Sequence, residues 1–332
     1  MFKKLTTILM AVIFATLGTG VFSACNNSDQ NQDDRIKIVT TTFACYDWVN
    51  EILGDRRSEF NVICLTDGGV DSHSFQPTVD DIATVAGCDL LIYVGGQSEA
   101  WVEDALKQKT NDRMQVVNLT NLLKDYLLCN DDEGESHDHD HDHDHEYDEH
   151  VWLSLSNVLR VLPIIATKIV KLMGDSSIVF SGLKDFCDKI IDLNARYESA
   201  VENADVKTLV FCDRFPFRYL LNDYGIAHYA AFSGCSAESE ASFETIAGLA
   251  DKVDSLGLWA VVTIEGGGVE IANAVINSTK SKNAKIVTMN SMQSVTKQQM
   301  SEGLSYLSVM ESNLEALKTA LYRGGENGSS VL

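Results

Sequence analysis

The chain has 332 residues, 45% hydrophobic and 22% charged, which is enough apolar material for one large core or two ordinary ones and excludes a disordered polymer. A net charge of -22 excludes a nucleic-acid partner, whose phosphates demand a basic face, and suits a cation as the bound species. Eleven acidic residues fall between Asp131 and Glu149, so much of the imbalance is local.

Residues 1–24 read as an export signal: Lys3 and Lys4 give the positive start, an apolar run follows to Val21, and Phe22-Ser23-Ala24 precedes Cys25. The run is short for a membrane span and lacks a charged stop after it. A small residue before a cysteine resembles the lipobox of bacterial lipoproteins. That resemblance implies lipidation of Cys25, a polar tether over 25–35, and a protein anchored at the extracytoplasmic face of the cell membrane, in a periplasm or on a cell surface. The seven cysteines after Cys25 are odd in number and none lies in a Cys-x-x-Cys spacing, so most read as small core residues.

Short apolar runs then alternate with helix-length amphipathic segments. Candidate strands lie at 36–41, 60–65, 90–94 and 114–118, and again at 207–212, 227–232, 260–264 and 286–289. Between the two groups, 154–204 carries helical periodicity, as in Val158, Val161, Leu162 and Ile165 and later Phe186, Ile190, Leu193 and Tyr197. Gly174-Asp175-Ser176 breaks it once. The expected fold is α/β, with two lobes, each a four-stranded parallel sheet with flanking helices, joined by a long spine helix. The expected division is an N-terminal lobe at 36–153, linking helices at 154–204, a C-terminal lobe at 205–324 and a tail at 325–332. A ligand cleft belongs between the lobes, where the carboxyl ends of the strands open.

Within the first lobe, 129–149 forms a His/Asp-rich loop in which His137, His139, His141, His143 and His145 alternate with aspartates. An acidic run alone reads as a solvated stretch. Strict alternation with imidazoles, ligands that are mostly neutral at neutral pH, points instead to a low-affinity collector of divalent metal. Two further histidines stand in ordered surroundings. His73 lies on a glycine-bearing turn after the second strand, before Pro77-Thr78 opens a helix. His150 stands in Asp148-Glu149-His150-Val151-Trp152-Leu153, where the loop runs into the spine. His228 begins a strand and reads as structural.

These motifs, with Gly69 to Thr78, Gly95-Gly96-Gln97-Ser98-Glu99-Ala100-Trp101 and Phe217-Arg218-Tyr219 before Tyr224-Gly225, resemble the metal-binding lipoproteins of bacterial ABC importers, the zinc and manganese cluster that includes ZnuA-type proteins. The resemblance covers nearly all of the chain after Cys25. It implies two α/β lobes on one long helix with the metal between them, and His73 and His150 match the first two ligands of the family. The third position falls on Arg214 or on Cys212 according to register, with Asp213 between them as a possible carboxylate donor. The fourth falls on Asn290. Cys235 and Glu240, in the loop after the sixth strand, are further candidate ligands, and Ser236 with Ser239 and Glu240 reads as the start of the next helix. Glu265, at the end of the seventh strand, is expected to accept a histidine N–H.

The expected function is that of a monomeric solute-binding lipoprotein, not an enzyme, that captures Zn2+ for an ABC permease. A manganese-binding member of the cluster, a surface adhesin and a zinc hydrolase are the alternatives. Zinc is favoured over Mn2+ by the histidine loop and by Asn290 standing where manganese would want a carboxylate. A hydrolase is disfavoured because no His-x-x-x-His helix or paired general base accompanies the two histidines.

Overall fold

The computed structural model describes residues 33–129, 147–174, 176–232, 234 and 241–323. Cys25, Cys235, Glu240 and the five alternating histidines lie outside the described residues.

Eight strands form two parallel sheets. The first contains β1 (Ile36–Thr40), β2 (Phe60–Cys64), β3 (Leu90–Tyr93) and β4 (Gln115–Asn118), in the order β2-β1-β3-β4. The second contains β5 (Thr208–Phe211), β6 (Ala227–Ala230), β7 (Ala260–Ile264) and β8 (Lys285–Met289), in the corresponding order β6-β5-β7-β8. Strands covered on both faces read as continuous apolar runs, and Leu-Leu-Ile-Tyr in β3 and Ala-Val-Val-Thr-Ile in β7 are buried throughout. Edge strand β6 stays partly exposed.

The connecting helices are α1 (Phe43–Leu53), α2 (Val79–Ala86) and α3 (Trp101–Lys107) in the first lobe, then α4 (Leu155–Met173) and α5 (Ser177–Glu202) between the sheets. The second lobe adds α6 (Arg218–Asp223), α7 (Phe243–Ser255), α8 (Glu270–Ser278) and the C-terminal α9 (Tyr306–Leu321). Helix α4 starts at Ser154, whose hydroxyl accepts from Asn157 N, and stops at Gly174 in the left-handed conformation. The stripe Phe186, Ile190, Leu193 and Tyr197 on α5 is buried in a core shared by both sheets. Helix α7 is capped by Ser242, which accepts from Thr245 N, so its start lies after the serines expected to open it.

The lobes are laced together at three places. Helix α9 packs on α1 and α5, with Tyr306 N donating to the buried Asp47 (2.8 Å), Tyr306 against Trp48 edge-on, and Tyr306 Oη donating to Trp152 O (2.8 Å). Burial pushes the Asp47 carboxyl up to about 7. The segment after β2 then runs antiparallel to the segment after β8: Lys297 N donates to Asp67 O (2.7 Å), Gly69 N to Val295 O (3.1 Å) and Ser72 N to Gln293 O (3.2 Å). Finally, Arg214 Nη1 meets Asp71 Oδ2 at 2.7 Å, an ion pair from one lobe to the other.

Cys45, Cys64, Cys88 and Cys212 are buried free thiols, and Cys129 and Cys187 are partly exposed free thiols. Burial pushes Cys45, Cys88 and Cys212 up to about 12 and Cys64 up to about 11.

Gly69 is the tight point of the lacing. Its φ is +73°, and a Cβ there would lie 2.6 Å from Thr296 Cγ2. Gly69→Ala is expected to destabilise the protein by about 1–3 kcal/mol in urea unfolding, from backbone strain together with the collision; an unchanged midpoint would show that the two segments are not held together in solution.

Candidate metal centre

His73 sits in the single helical turn Ser72–Ser74, whose start is fixed by Asp71: its Oδ1 accepts from His73 N at 2.9 Å. The ring's Nδ1 lies 2.6 Å from Ser98 Oγ and 3.8 Å from Glu149 Oε2. Glu149 Oε1 in turn accepts from Ser98 N (3.0 Å), and its carboxylate occupies the space a Cβ on Gly96 would take. A carboxylate on this side favours the tautomer protonated at Nδ1.

His150 is held in the same way and more tightly. Its Nδ1 lies 2.8 Å from Asp148 Oδ1, which also accepts from His150 N at 2.9 Å. Both residues are about 3% exposed, and Arg218 Nε lies 3.7 Å from Asp148 Oδ2. Asp148 therefore accepts a hydrogen bond from Nδ1–H, and the proton stays on Nδ1. The stem of the acidic loop is clamped beside it: Cys129 bridges Tyr147, Asp148 N donates to Leu128 O (2.9 Å), and Tyr219 Oη from α6 accepts from Leu128 N (3.1 Å) and donates to Asp148 O (2.8 Å).

With both outer nitrogens protonated, the inner nitrogens present lone pairs to each other, and His73 Nε2 and His150 Nε2 are 3.0 Å apart. Two lone pairs at that distance repel unless a cation or a shared proton lies between them. Two nitrogens bound tetrahedrally to zinc sit about 3.3 Å apart, so a slight opening of the pair would admit the ion.

The C-terminal lobe supplies the third group around this pair, and it is not one that the sequence motifs singled out. Gln293 Nε2 lies 2.9 Å from His150 Nε2, while its Oε1 lies 2.8 Å from Ser291 Oγ. Ser291 N and Oγ donate to Glu265 Oε2 and Oε1 (2.7 and 2.5 Å), and Gln293 N faces Glu265 Oε1 at 3.3 Å. Glu265 thus reaches His150 through Ser291 and Gln293 rather than by accepting from an imidazole. Burial raises its pKa, and the donors from Ser291 and Gln293 oppose that rise.

Several expected ligands are placed elsewhere. Asn290 is used by its own turn, with Oδ1 accepting from Met292 N (2.8 Å) and its backbone tied to Asn313. Cys212 is 1% exposed within an apolar cluster with Val210, Leu249 and Val261. Asp213 Oδ1 accepts from Arg214 N (2.8 Å), and its Oδ2 faces Ile264 N at 3.5 Å under the Gly267 turn. Among the described residues no three or more His, Cys, Asp or Glu side chains are grouped to hold a metal ion, so Asp213 does not join the pair in this conformation. Arg214 is spent on Asp71. His228 stacks on Phe215, with centroids 3.9 Å apart, and burial lowers its pKa to about 4.

Two parallel α/β lobes joined by long helices, with an imidazole pair where their loops meet, define a cleft-type binding protein. The chain belongs to the family described as ZnuA, zinc-uptake complex component A, periplasmic, which matches residues 38–320. It is 29% identical to the zinc-binding lipoprotein AdcA of Streptococcus pneumoniae R6 over 93% of its own length but only 60% of that protein, and therefore spans about three fifths of that relative. It is 28% identical to the high-affinity zinc uptake system protein ZnuA of Bacillus subtilis 168, over 97% of this chain and 99% of that one. The crystal structure of the metal-dependent lipoprotein YcdH from Bacillus subtilis superposes with a TM-score of 0.70 at 25% identity, covering 86% of this chain and all of that one.

The support behind His73 has a pH signature. Glu99 lies next to Ser98, accepts from Gly95 N (2.7 Å) and is held at about 7 by burial and by the nearby charge of Glu149. Between about pH 4.5 and 7 the folded protein therefore holds a proton that the unfolded chain has released, and stability falls as pH rises through that window. Glu99→Gln is expected to remove up to about 3 kcal/mol of the decline between pH 5 and pH 8 in urea titrations. Equal declines in the variant and the parent would show that Glu99 ionises at its ordinary pH.

Proposed function

We propose that this protein captures Zn2+ between its lobes through His73 and His150 and delivers it to the permease of an ABC importer. The observation that carries the reading is the convergence of two imidazole Nε2 atoms, 3.0 Å apart, whose outer nitrogens are each backed by an oxygen from Asp148 or from Ser98 and Glu149. Membership of a zinc-uptake family supports zinc as the cargo. Neutral imidazoles suit zinc better than manganese, which prefers carboxylates. The residues at 1–25 support export and lipidation at Cys25, which would hold the protein as a monomer beside the membrane. Among the described residues no helix is long and apolar enough to cross a membrane.

His137, His139, His141, His143 and His145 would form a weak collector that feeds the tight site, because the loop leads straight into Asp148 and His150. A protein lacking 131–145 is then expected to keep its tight zinc stoichiometry and lose only weak, salt-sensitive binding. Loss of tight binding in that deletion would place the principal site in the loop.

The central test is competition against a zinc-chelating dye. His73→Ala and His150→Ala are each expected to weaken zinc by more than about a hundredfold, and Asp148→Asn, which removes the charge behind His150, by about 10–100-fold. Lowering the pH from about 7.5 to about 5.5 should weaken binding in the parent as protons compete for the imidazoles. Undiminished affinity in both histidine variants would overturn the site.

A further inference from the structure

The turn that carries His73 is gripped by the second lobe in two ways. One grip is backbone: Gly69 N donates to Val295 O (3.1 Å) and Ser72 N to Gln293 O (3.2 Å). The other is a side chain from the loop between β5 and α6, Arg214, whose Nη1 donates to Asp71 Oδ2 at 2.7 Å. Asp71 divides its carboxylate between two tasks. Its Oδ1 accepts from His73 N at 2.9 Å and fixes the turn, while its Oδ2 meets the guanidinium from the opposite lobe. One side chain therefore joins the placing of His73 to the seating of the second lobe.

Both ends of this pair are anchored by their own loops. Asp213 Oδ1 accepts from Arg214 N (2.8 Å), and the next residue, Phe215, is 1% exposed in the core. Asp71 opens the helical turn Ser72–Ser74. Partners held in this way lose less freedom on pairing than two mobile surface chains do. The contact nevertheless touches water, the two side chains being 27% and 15% exposed. Salt screens such a pair far more than it weakens backbone hydrogen bonds, so the ion pair is the adjustable part of the grip.

We propose that the Asp71–Arg214 pair is a latch between the lobes that slows the escape of zinc from His73 and His150, with Arg214 a positioning residue that acts through Asp71 and not on the ion. The inference rests on the zinc-capture reading of the histidine pair and adds a determinant of how long the ion stays. The sign of the effect separates a latch from a bystander charge. A guanidinium that merely stood near the site would repel the cation, and its removal would slow release. Removing a latch speeds release instead.

The test follows zinc release from the full, zinc-loaded chain after rapid mixing with an excess of chelating dye. Arg214→Gln is expected to release zinc about three- to tenfold faster than the parent. Asp71→Asn, which keeps an oxygen to accept from His73 N and loses the charge opposite Arg214, should do the same. The double variant should be no faster than the quicker single one. Whatever else Arg214 touches, comparing single and double variants isolates its coupling to Asp71. Raising the salt from about 0.05 M to about 0.5 M should speed release from the parent and leave release from both single variants nearly unchanged. Release from Arg214→Gln at or below the parent rate would overturn the proposal, and so would effects of the two substitutions that simply multiply in the double variant. Parent release that is matched by His73→Ala and His150→Ala would instead mark a failure of the underlying zinc site, which separates the two outcomes.

Discussion

The site depends on the fixing of two tautomers. An imidazole can present either nitrogen, and here Asp148 claims the outer nitrogen of His150, while Ser98 and Glu149 claim that of His73. Much of the local structure serves those two bonds. Asp71 shapes the turn that carries His73, Gly96 leaves room for Glu149, Arg218 lies beside Asp148, and Tyr219 clamps the backbone on which Asp148 and His150 sit. The negative charges stand one layer behind the nitrogens. They attract a cation and orient its ligands, while the atoms facing it remain neutral, which suits a protein that must release its cargo.

The same strand order in both sheets puts equivalent loop ends at the meeting of the lobes. What turns that symmetry into a site is the short antiparallel lacing of 67–72 against 293–297, together with α9 seated on α1. Asp47 lies in that helix contact and Glu99 behind His73, and both carboxyls are pushed up to about 7 by burial. Such groups weaken the fold at high pH in exchange for fixing backbone N–H groups that would otherwise be unsatisfied.

Much of this was legible in the sequence. Apolar runs bounded by turn residues located all eight strands to within a residue or two, and the stripe from Phe186 to Tyr197 identified the buried face of α5. His73 and His150 stood out because histidine is rare in this chain outside the acidic loop. Strand parity could have excluded Cys212: Leu209 and Phe211 face the core shared by both lobes, and Val210 and Cys212 face the opposite side, beneath α7 and α8. Gln293 was not legible. Its place beside His150 depends on a contact between segments more than a hundred residues apart, and no local pattern separates it from Asn290, which the turn takes for its own backbone.

The buried cysteines bear on where an incoming ion can be lost. Thiolate sulfur is among the strongest ligands zinc meets in proteins, and a carrier studded with accessible thiols would hold decoy sites that trap the cargo. Here Cys45, Cys64, Cys88 and Cys212 lie in apolar surroundings that keep them protonated far above neutral pH. Close packing thus does more than stabilise the lobes. It silences four competing sulfurs, leaving Cys129 and Cys187 as the partly exposed thiols among the described residues.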